Sequence, residues 1–68
     1  MEDFENMPLE TLKKRLKLYE FYLQDKIKTG ETLRNQNLLD EHYHRSQIEK
    51  DERIIEEIKK KIAARRLE

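Results

Sequence analysis

The chain contains no cysteine and no tryptophan, and has a single glycine and a single proline. Without cysteine there is neither a disulfide framework nor a thiolate zinc site, and a reducing, cytoplasmic setting is the expectation. One Gly and one Pro leave almost nothing that breaks a helix. No apolar run approaches the roughly 20 residues that cross a bilayer, and no apolar leader core follows Met1, so no membrane partner is expected. An excess of one charge is also missing. Fifteen acids balance fifteen bases, with seven of each in residues 1–34 and eight of each in residues 35–68. No global field therefore draws the chain to nucleic acid or to an anionic surface.

What is present is charge and periodicity. Charged residues make up 44% of the 68 residues and hydrophobic ones 35%, a composition of long helices or a coiled coil in one small domain. Highly charged chains are also often disordered, but here the apolar residues recur regularly. Ile48, Ile54, Ile55, Ile58 and Ile62 fall on one stripe at 100° per residue, with charged residues nearly everywhere between them. Upstream, Leu9, Leu12, Leu16, Tyr19, Leu23 and Ile27 follow heptad-like steps. Leu18 and Phe21 point away from that seam, and Tyr22 flanks it.

Punctuation sets the expected boundaries. Met1 to Asn6 reads as a flexible acidic segment, Asn6 as an N-cap, and Pro8 as a first-turn residue whose missing N–H does no harm. Gly30, after Lys26 and Lys28, reads as the left-handed residue that ends a helix. These signals predict an all-α antiparallel hairpin of helices about 7–28 and 31–66. An alternative division starts a new helix at the Ser46-Gln47-Ile48-Glu49 capping box and yields a three-helix bundle. In the hairpin, a helix of about 22 residues faces one of about 36, so the isoleucine ridge overhangs its partner. An uncovered ridge predicts a homodimer, a four-helix or coiled-coil bundle with Ile48, Ile54, Ile55, Ile58, Ile62, Leu18 and Phe21 at the interface.

Residues that carry chemistry are few. Asn37, Asp40, His44, Gln47 and Asp51 continue the ridge upstream with polar side chains, read as register-setting or solvated positions. His44 with Asp40 is the sharpest acid–base pair, but His42 and His44 point to different sides of a helix and cannot chelate together. No metal-ligand or nucleophile–base spacing occurs, so no catalytic residue, metal or cofactor is expected. Two basic runs, Lys13-Lys14-Arg15 with Lys17 and Lys59-Lys60-Lys61 with Arg65-Arg66, are candidate phosphate contacts. The stretch Asn35-Gln36-Asn37-Leu38-Leu39-Asp40 partly resembles the Ser-Gln-x-Leu-Asp stretch of small helical-hairpin phosphatases of sporulation response regulators. Asn35 stands for the Ser, and the acid comes one position late, about 100° around a helix.

The function expected from these features is a non-enzymatic protein–protein interaction or regulatory adaptor module acting through helix association, with an unknown protein partner. RNA binding through residues 13–17 and 59–66 is the alternative, and a phosphatase-like regulator of a signalling protein a distant third.

Overall fold

A computed structural model describes residues 3–66 of the chain. It is all-helical: a short 3-10 turn, η1 (Phe4–Asn6), precedes two long helices, α1 (Leu9–Asn35) and α2 (Glu41–Arg66). α1 and α2 lie antiparallel in a rod of 49 × 18 × 17 Å. Cross-helix contacts fix the register: Lys26 meets Asp51, Gly30 meets His44, and Arg34 meets Glu41.

α1 does not stop at Gly30. Gly30 is buried in the helix and carries no positive φ. The residue that ends α1 is Asn37, with φ 58°. Around it, Asn37 N–H donates to Arg34 O at 3.0 Å and Leu38 N–H to Leu33 O at 2.9 Å. These two bonds form a Schellman motif with Asn at the left-handed position. Asn tolerates this conformation because its short polar side chain clashes little, whereas a β-branched residue pays about 1–2 kcal/mol. Asn37→Gly should therefore match or slightly exceed the parent in thermal unfolding, while Asn37→Val loses about 1–2 kcal/mol.

α2 then opens at Glu41, where Asp40 acts as the N-cap. Its Oδ1 accepts from Tyr43 N–H at 3.1 Å, which satisfies one of the donors a helix start leaves open. Across the turn, Arg34 Nε and Nη2 donate to the two Glu41 carboxylate oxygens at 2.6 and 3.0 Å. The cation sits in the last turn of α1 and the acid in the first turn of α2, each favoured by its helix dipole. The Arg34 hydrogen bond and charge hold the Glu41 carboxyl below its ordinary value. A depressed carboxyl pKa adds stability that is present above the unfolded value and lost as pH falls through the folded one. In an NMR titration, the Glu41 carboxyl should titrate below 4.5 and move upward in Arg34→Gln.

The displaced turn changes the packing. The helices have 27 and 26 residues, so neither overhangs the other. Ile58 is fully buried, and Ile55 and Ile62 nearly so, all within a single chain. The expected uncovered ridge is thus the inner face of the hairpin, and the ground for placing Ile55, Ile58 and Ile62 at a chain–chain interface is removed. α2 also runs unbroken through Ser46, so the three-helix division does not occur. The main core joins Phe4, Leu12, Ile58 and Ile62, with Met7, Leu9, Leu16, Tyr19 and Ile54 packed around them.

The N-terminal segment is also more ordered than its acidity suggests. Asp3 caps η1 by accepting from Glu5 N–H at 3.2 Å, and Phe4 inserts into the core. Lys61 donates to the Glu5 carboxylate, and Arg65 Nη2 donates to Glu5 O at 2.7 Å. Pro8, rather than Asn6, is the N-cap of α1. Met1 and Glu2 of the expected flexible segment lie outside the described residues.

Candidate interaction groove

Two helices packed along one seam cannot enclose it from both sides. Beside the core, a groove of about 830 Å³ opens between the first half of α1 and the end of α2. Leu16, Ile62 and Ala63 give it apolar lining. Lys13, Lys14 and Lys17 stand on the α1 side and Lys59 and Arg66 on the α2 side, with only Glu10 and Glu20 as carboxylates. Glu10 lies 3.8 Å from Lys13 in an i,i+3 pair, a largely exposed contact with little effect on stability.

The fold thus brings together members of both basic runs, which are far apart in sequence. It does not bring all of them. Arg15 is half-buried on α1 outside the groove. Lys60 lines a separate shallow surface with Glu52, Arg53, Glu56 and Glu57. Lys61 and Arg65 hold Glu5 on the side of η1, and the Glu5 hydrogen bond raises the Lys61 pKa. Sequence reasoning missed Leu16, Ala63, Glu10 and Glu20 as groove residues. For the last three the signal was present: positions 10, 13, 17 and 20, and positions 59, 63 and 66, step by three and four beside the seam.

Of the other expected contact residues, Ile48 and Leu18 are half-buried, and Ile54 packs at the core edge. Phe21 is 63% exposed, beside Tyr22 with ring centroids 6.4 Å apart. Tyr22 in turn meets Tyr19 edge-on at 6.0 Å. Ile27, expected in the seam, is 42% exposed, because Lys26 takes the inward position.

The polar stretch that suggested acid–base chemistry has structural roles. Asp40 caps α2, Asn37 makes the turn, and Asp51 is buried beside Lys26 with Nζ 2.8 Å from Oδ2. That contact is an ion pair outside hydrogen-bond alignment, since Oδ2 has no aligned donor. His44 lies over Gly30, where an added Cβ would overlap its Cε1 and Nε2. The segment compared with the phosphatase stretch forms the end of α1 and the turn, so Asn37 to Asp40 share no helical face. Among the described residues, no cluster of three His, Asp or Glu side chains is arranged to hold a metal, and no helix is long and apolar enough to cross a membrane.

The Gly30–His44 contact predicts an effect that depends on the background. Gly30→Ala gains about 1 kcal/mol of helix propensity, but its Cβ must displace the half-buried imidazole of His44, which offsets much of that gain. In a His44→Ala background the clash is gone, and the same change should stabilise by about 0.5–1 kcal/mol. Urea unfolding of the four chains measures the cycle, and an equal effect in both backgrounds contradicts the contact.

No family model, curated protein or solved structure matches the chain.

Proposed function

We propose that the chain is a non-enzymatic interaction module that accepts a helix of another protein along the groove between α1 and α2. The observation that carries this reading is the apolar floor of Leu16, Ile62 and Ala63, open between two helices of matched length. Such a seam is completed by a third amphipathic helix, the helix-in-groove mode of recognition. Ala63 is exposed and small, so Ala63→Glu should block the groove without disturbing the core. A photo-crosslinker placed at Ala63 should capture a defined protein in the cells that make the chain, and one at Arg53 on the outer face should not. Equal capture from both positions refutes docking at the groove.

The convergence of Lys13, Lys14, Lys17, Lys59 and Arg66 favours RNA binding as the second reading. Against it, no aromatic side chain lines the groove to stack a base, and the net charge is zero. Loss of binding with a steep salt slope in a gel shift supports it; no binding at low ionic strength ends it.

A two-fold homodimer is served poorly by the groove, because an isologous contact sets its cations against themselves. Leu18, Phe21 and Tyr22 offer a less charged surface for self-association. Sedimentation of Phe21→Glu against the parent chain reads it.

A further inference from the structure

We infer that the occupant of the groove is an acidic amphipathic helix, with apolar residues on one stripe and carboxylates flanking it on both sides. This rests on the docking reading above and adds the chemistry of the partner. The apolar floor lies between two walls of net positive charge: Lys13, Lys14 and Lys17 outnumber Glu10 and Glu20 on α1, while Lys59 and Arg66 stand on α2. A helix laid on the floor has its two flanks against these walls. Carboxylates on both flanks complete the charge pattern, whereas lysines there repel it. The stretch of α1 that lines the groove, Glu10 to Glu20, is about 15 Å long, enough for roughly three turns of a partner helix.

A phosphate backbone meets the same cations but has no use for Leu16, Ile62 and Ala63. An acidic helix satisfies both the walls and the floor. A neutral apolar helix fills the floor and leaves the walls without counter-charge. Lys17 and Lys59 are both exposed, so their charges can be reversed without opening the core.

The test uses the full chain and three synthetic 18-residue helical peptides. All carry Leu at the a and d heptad positions, and they differ only in having Glu, Gln or Lys at e and g. Fluorescence anisotropy should show the Glu peptide binding about tenfold more tightly than the Gln peptide at low salt. That margin should shrink as salt rises from about 50 to about 500 mM. In Lys17→Glu/Lys59→Glu, with helicity confirmed by circular dichroism, preference should pass to the Lys peptide. Ala63→Glu should weaken the binding of the Gln peptide as well. Equal affinity for Glu and Gln peptides overturns the acidic-partner inference while leaving docking intact. Failure of all three peptides to bind overturns docking too. Binding of an 18-nucleotide single-stranded RNA that is lost in Lys17→Glu/Lys59→Glu, with none of the peptides bound, overturns both in favour of nucleic acid.

Discussion

Ile58→Ala should lower the free energy of unfolding by about 2–4 kcal/mol, a loss of the size that truncating a fully buried core side chain brings. Ile58 is fully buried, and it shares the core with Phe4, Leu12 and Ile62. Removing its outer carbons loses transfer free energy and leaves a cavity that two helices held at a fixed register cannot close. A 68-residue chain has only about 3–10 kcal/mol of total stability, so the variant loses a large share of it. Leu38, 69% exposed in the turn, is the control: Leu38→Ala should stay within about 0.5 kcal/mol. Urea unfolding at several protein concentrations reads both. If Ile58 belongs to the hairpin itself, the midpoint falls by the same amount at every concentration. If it instead joins two chains, the midpoint of the parent rises with concentration and the variant loses that dependence.

Lys26→Met should cost about 1–3 kcal/mol although Lys26 lies partly at the surface. The Lys26 side chain is 36% exposed, whereas that of Asp51 is only 6% exposed. The substitution leaves a buried carboxylate without its counter-ion, and an uncompensated buried charge is far more costly than an intact pair is favourable. The double variant Lys26→Met/Asp51→Leu should recover most or all of the loss, because an apolar pair of similar volume needs no desolvated charge. Polar residues inside an otherwise apolar seam penalise slipped registers. The double variant is therefore expected to unfold less cooperatively than the parent, seen as a lower m-value. A double variant as unstable as Lys26→Met alone contradicts the buried-charge account.

The same two residues explain why the turn was misplaced by sequence reasoning. On α1, positions 9, 12, 16, 19, 23, 26, 30 and 33 step by three and four and all are buried or half-buried. The stripe is continuous, but it reads Leu, Leu, Leu, Tyr, Leu, Lys, Gly, Leu. A search for apolar residues loses it at Lys26, moves to the exposed Ile27, and then takes Gly30 for a stop. On α2 the facing positions are Asp51 and His44. Lysine is matched by aspartate and glycine by histidine, so each non-apolar residue of one helix meets a complementary residue of the other. Pairing of this kind is not a property of either segment alone.

The groove shows the same division. The basic runs were visible as clusters of charge, but their separation between a groove and the η1 clasp was not. Lys59 and Lys61 are two residues apart and face different surfaces, one toward Ala63 and Arg66, the other toward Glu5. Helical geometry predicts that they diverge. Which surface each meets depends on where α1 and η1 lie.

By itself, the sequence determined that the chain is all-helical, that its helices fold back on one another, and that Leu12 and the isoleucines from Ile54 to Ile62 turn toward a partner helix. Periodicity and the scarcity of helix breakers are local, and local interactions suffice for those conclusions. The place of the turn, the equal lengths of α1 and α2, and the closing of the isoleucine ridge inside one chain were decided only in three dimensions. The reason is that a glycine in a helix interior costs only about 1 kcal/mol relative to alanine, while the pairings across the seam, Lys26 with Asp51 and Gly30 with His44, join residues far apart in sequence and leave no local signal.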